Sequence, residues 1–150
     1  MANRLPTLLL CLLAAACGDK EGADSGHDHH HHHHGGDRDA VTSVDTDSWT
    51  VSYAVPGGDI PLSEEFALEV TVHAAGDPAS PATNAEVAVT AIMPDHDHGM
   101  NQEPTVTANG DGTFTADGML FHMSGYWEII VDVTADGSME TARLGANCCD

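Results

Sequence analysis

Two short segments concentrate the side chains of this 150-residue chain that could bind a soft cation. One reads Met93-Pro94-Asp95-His96-Asp97-His98-Gly99-Met100. The other reads Met119-Leu120-Phe121-His122-Met123-Ser124-Gly125-Tyr126-Trp127. Met93, Met100, Met119 and Met123 are four of the six methionines, and outside an N-terminal tract only His73 is a histidine found elsewhere. Read as extended chain, the first segment puts His96, His98 and Met100 on one face and Asp95 and Asp97 on the other, because side chains two apart share a face. Two imidazoles and a thioether suit copper: the thioether favours Cu(I), and imidazole accepts either oxidation state. The spacing equally allows incidental loop residues, with Met119 and Phe121 plugging a core and Met123 packed on Trp127 through its sulfur.

A second group of ligands is less ordered in pattern. His27, His29, His30, His31, His32, His33 and His34 lie in a Gly- and Asp-rich stretch with no apolar periodicity. Such a tract offers imidazoles without fixed geometry, and by affinity order it prefers Cu(II), then nickel or zinc. Cys148 and Cys149 are adjacent near the C-terminus. They allow a ring disulfide, pairing with other chains, or a thiolate pair for Cu(I).

Charge and composition exclude much else. Four Lys and Arg against 24 Asp and Glu give a net charge of −20. That excludes nucleic acid as a partner, since phosphate binding needs clustered cations. A blue-copper centre needs a core cysteine, and no cysteine falls between residues 18 and 147. A dismutase-like copper–zinc site needs more histidines than those outside the tract, and no GxSxG nucleophile motif occurs. The chain therefore reads as non-catalytic.

The elements that must hold these ligands are strands. Trp49, Val51, Tyr53 and Val55 alternate with polar or small residues, as do Phe66, Leu68, Val70 and Val72. Val87, Val89 and Ala91 follow and lead to Met93-Pro94. Trp127, Ile129, Val131 and Val133 form the clearest inward set, and Asp136-Gly137 is a hairpin turn. Residues 76–84 read as a loop. About seven short strands without a helical period predict an all-β, immunoglobulin-like β-sandwich, with a closed barrel as the alternative. In the sandwich the third strand ends at Met93 and the sixth starts near Tyr126, and these two pair antiparallel. His96, His98, Met100, His122 and Met123 then converge at one end of the domain. His73 falls at the other end, outside the site.

The N-terminus reads as an export signal. Arg4, a short Leu-rich run, three alanines and Cys17 resemble the lipobox of bacterial lipoproteins. That similarity implies a signal peptide over 1–16, lipidation at Cys17, and a location in the cell envelope facing the periplasm or exterior. Residues 17–40 are the expected disordered tether, 41–145 the sandwich and 146–150 a flexible tail. Another envelope protein is a possible partner, and a tethered, purely structural interaction module is the competing function.

Over about residues 65–135 the chain also resembles a known family. The run MPDHDHGM, then NGDGTF, then FHMSGYW followed by alternating β residues, is similar to the YtkA-like domain family and the related FixH-like proteins. The matching positions are Met93, Pro94, His96, His98, Gly99, Met100, Phe121, Met123, Gly125 and Trp127; His122 is an addition of this sequence. The resemblance implies an exported or tethered immunoglobulin-like fold associated with copper handling or copper-oxidase assembly. FixH-like proteins carry a transmembrane helix where this chain has only the signal, which departs from a direct assembly role.

Overall fold

The computed structural model describes residues 38–149. The expected signal segment 1–16, the lipidated Cys17, the histidines His27 and His29 to His34, and the tether up to residue 37 lie outside the described residues.

Ten strands follow in chain order: β1 Ser43–Asp45, β2 Trp49–Ala54, β3 Glu65–Ala74, β4 Asp77–Pro81, β5 Glu86–Met93, β6 His98–Gly99, β7 Thr105–Ala108, β8 Thr113–Leu120, β9 Gly125–Ala135 and β10 Ser138–Cys148. No helix occurs among the described residues. One sheet has the order β1-β2-β3-β8-β7, with β4 paired to β3; the other has the order β10-β9-β5-β6. Strands β2, β3, β8 and β7 correspond to the ABED sheet of an immunoglobulin constant-type domain, and β5, β9 and β10 to its CFG sheet. The fold is an all-β sandwich, as the alternation predicts.

The core is apolar throughout. Leu68, Val70 and Val72 of β3 face Trp127, Ile129, Val131 and Val133 of β9, and all seven are buried. Among the described residues no polar or charged side chain is fully buried. Asp136 and Gly137 both have positive φ and connect Ala135 to Ser138 as a two-residue hairpin. That matches the twist of the flanking strands.

Three strands exceed the expected seven. β1 adds to the edge of β2, and β6 is a two-residue return of the chain onto β5. Strand β4 occupies the stretch read as a loop. It pairs through His73↔Pro81 and Ala74↔Asp77 on an edge, where the missing N–H groups of Pro78 and Pro81 cost no central ladder bond. The last strand also runs past the boundary expected at residue 145. Gly145, Ala146, Asn147 and Cys148 continue the ladder opposite Glu128, Trp127, Tyr126 and Gly125. Gly145 permits this close passage, because a Cβ there would lie 2.8 Å from the Tyr126 hydroxyl and 3.1 Å from the Val41 amide.

Candidate metal centre

Pairing of β5 with β9 brings the two ligand-bearing segments together, since Ile92 lies opposite Glu128. The end of β5 and the start of β9 therefore share one pole of the sandwich. His73 lies near the far end of β3, whose first residue pairs with Leu120 beside the site. Eight residues of strand, on the order of 27 Å, separate His73 from that pole.

The first segment is not extended. Pro94 to Asp97 form a turn in which the His96 amide donates to the Met93 carbonyl at 3.0 Å, and Asp97 adopts positive φ. An Asp tolerates this conformation better than a β-branched residue. The chain then returns, with His98 opposite Met93 and Gly99 opposite Ile92. So His96 sits exposed on the turn while His98 is half-buried on β6. Their ring centroids are 5.8 Å apart. Arg38 grips this turn through an ion pair with Asp95 at 2.7 Å, and its guanidinium lies 4.8 Å above the Tyr126 ring.

The second segment presents His122 directly after Phe121. The Ser63 amide donates to the Phe121 carbonyl at 2.8 Å, which fixes the strand end. The rings of His98 and His122 are 5.0 Å apart, tilted by 31°. Both meet the Trp127 indole roughly at right angles, at 5.8 and 5.5 Å. Trp127 in turn stacks on Phe121 with centroids 4.4 Å apart, and Phe66 packs edge-on against Phe121. The indole Nε1 donates to the Met123 carbonyl at 2.9 Å, so the loop after Phe121 is pinned to the core.

Two atoms stand out in this arrangement. His98 Nε2 and His122 Nδ1 are buried, and neither has a hydrogen-bond partner among the described residues. His98 Nδ1 lies 3.3 Å from the Gly99 carbonyl. The tautomer that donates from Nδ1 leaves a lone pair on Nε2, the usual arrangement of a ligating imidazole. A buried unpartnered polar atom costs about 1–3 kcal/mol. Two such atoms on rings whose centroids are 5.0 Å apart are a pattern that one cation between the rings would relieve.

Four methionines belong to the two segments that meet here. Met100 Sδ accepts from the Leu120 amide at 3.5 Å, two residues before His122. Met123 is 37% exposed at the rim and does not pack into the core. Met93 and Met119 are core residues. Met93 reaches toward β9 because Gly125 lacks a side chain: a Cβ there would stand 2.8 Å from the Met93 methyl. The structure thus joins His98 and His122 closely, sets His96 beside His98, and places Met100 and Met123 at the same pole. Trp127 as the floor of the site was not legible from ligand types, because an indole is no ligand. Among the described residues no three or more His, Cys, Asp and Glu side chains are placed to hold one ion.

No curated protein and no solved structure matches the chain. The YtkA-like family model matches residues 44–132, from β1 into β9, and so includes His96, His98, Met100, His122 and Met123. With that match over more than half of its length, the chain belongs to the YtkA-like family.

Proposed function

We propose that this is a lipid-anchored, non-catalytic copper-binding protein of the cell envelope that buffers, sequesters or delivers the ion. The observation that carries the reading is the pair of unpartnered nitrogens, His98 Nε2 and His122 Nδ1, on rings whose centroids are 5.0 Å apart. Two imidazoles fall short of the four ligands of a structural zinc site. Completed by a thioether, they match the softer preference of Cu(I). Met100 and Met123 are the thioethers at hand, and His96 is the nearest further imidazole. Asp97 on the turn adds negative potential that draws cations toward the pole, whereas the charge of Asp95 is balanced by Arg38. In this reading the His tract, His27 and His29 to His34, adds loose capacity for Cu(II), nickel or zinc.

The test uses the full chain with asparagine in place of His27 and His29 to His34. Titration with Cu(I) against a bicinchoninate competitor should show a tight equivalent assignable to the pole. His98→Ala and His122→Ala should each weaken it tenfold or more, about 1.4 kcal/mol. His96→Ala should weaken it less, because that ring is exposed. Met123→Leu keeps the apolar volume and removes the sulfur; combined with His98→Ala, it should cost less than the sum of the two, because ligands on one ion couple. Unchanged Cu(I) affinity in both His98→Ala and His122→Ala would refute the reading and leave the loops as structural contacts.

A further inference from the structure

The vicinal cysteines sit at the same pole as the imidazoles. Cys148 pairs with Gly125, three residues after His122, on the opposite side of β9 from β5. Cys148 and Cys149 are joined by a disulfide. Cys148 is 3% exposed, whereas Cys149 is half-buried and lines a cleft of about 750 Å³ together with Tyr53, Val55, Ile60, Leu62 and Asn147. Cys148 is thus enclosed by the core, while Cys149 borders the cleft.

We propose that Cys148 and Cys149 form a redox-gated second site for a soft monovalent cation, closed as the disulfide and opened as the dithiol. The co-reactant is a dithiol. Its thiolate attacks the Cys149 sulfur from the cleft, the Cys148–Cys149 bond breaks, and Cys148 leaves as a thiolate that takes up a proton. The second thiol of the reductant then displaces Cys149 and becomes a disulfide itself. Two electrons and two protons pass to the protein. Cu(I) binds the resulting pair with release of both protons, because the thiolate and not the thiol is the ligand. Reoxidation by a disulfide reverses the transfer and expels the ion. This site does not depend on the imidazole pair: its ligands come from the end of β10, and its opening follows the thiol–disulfide state alone.

The experiment compares the full chain before and after dithiothreitol, removed under anaerobic conditions, with the Cys148→Ser/Cys149→Ser chain treated alike. Cys11 and Cys17 are present in both chains, so the difference reports the vicinal pair. Treatment should raise the thiol count of the parent by two over the variant. The reduced parent should then bind one more Cu(I) than either its oxidised form or the reduced variant. That extra equivalent should persist in His98→Ala/His122→Ala, which separates it from the imidazole site. A thiol count that does not rise, or a reduced parent that binds no more Cu(I) than the oxidised one, overturns the proposal. In a chain carrying Cys11→Ser and Cys17→Ser, the comparison of oxidised with reduced protein leaves the vicinal pair unsubstituted and isolates it, so the test holds even if the Cys148→Ser/Cys149→Ser variant folds poorly.

Discussion

The Trp127 indole nitrogen donates to the carbonyl of Met123 at 2.9 Å, and that single bond ties the floor of the site to its rim. The same ring is fully buried and stacks on Phe121. Core stability and ligand placement therefore share one side chain.

Trp127→Ala should lower stability by about 3–5 kcal/mol through loss of volume. Trp127→Phe should remove the hydrogen bond, worth about 0.5–1.5 kcal/mol, while keeping much of the apolar contact. Denaturant unfolding ranks the two. If Trp127→Phe melts with the parent and leaves loop exchange rates at residues 122–124 unchanged, the bond does not hold the loop.

A second prediction contrasts two glycines of the β7–β8 turn. Gly110 and Gly112 both have positive φ, but a Cβ at Gly110 would meet open space. At Gly112 it would stand 2.5 Å from Pro81 Cβ and 2.9 Å from the Val72 carbonyl oxygen. Gly110→Ala should cost roughly 1–2 kcal/mol, the left-handed penalty alone. Gly112→Ala should cost clearly more, because backbone and β4 must also shift. Equal melting temperatures for the two variants would show that β4 yields freely there.

The third prediction is a dome of stability against pH. Asp77 is held below the usual carboxylate range first by the Ser80 hydroxyl and then by the Ala79 amide. Asp111 is lowered first by the Thr113 hydroxyl and then by the Thr113 amide. Glu140 is lowered first by the Ser48 hydroxyl, then by Thr46 and the Ser48 amide. A depressed folded value means stability that is present above the unfolded value and is lost as pH falls through the folded one. Melting temperature should fall once pH drops below about 4. At the alkaline side Tyr53 is raised, first by burial and then by Tyr126, so it resists ionising in the fold. Its hydroxyl donates to the Gly145 carbonyl at 2.9 Å, and stability should fall again as pH rises past about 10. Asp111→Asn should flatten part of the acid slope; an unaltered slope would remove Asp111 from the account.

Much of this architecture is legible in the sequence for a physical reason. The alternation Trp127-Ile129-Val131-Val133 fixes which face of β9 is buried, and the immunoglobulin strand order then brings His98 to His122. The turn at Pro94 to Asp97 was not legible. Alternating Asp and His imitate a strand, and only the positive φ of Asp97 reveals the reversal. Strand β4 was hidden by Pro78 and Pro81, residues that an edge accepts and a central strand refuses. The two orphaned nitrogens were beyond sequence reading as well, because their burial depends on how Trp127 stacks. The continuation of β10 through Cys148 rests on Gly145 passing beneath Tyr126, a close approach that no periodicity announces.

The ion pair between Arg38 and Asp95, with the Arg38 carbonyl accepting from Asn147 at 2.8 Å, fixes where the chain enters the domain. The polypeptide reaches the sandwich at the pole that bears His96, not at the opposite one. Tension applied through the segment before Arg38 would meet the turn carrying His96, through Asp95, and the end of β10, through Asn147, so the entry of the chain and the shape of the site are mechanically joined.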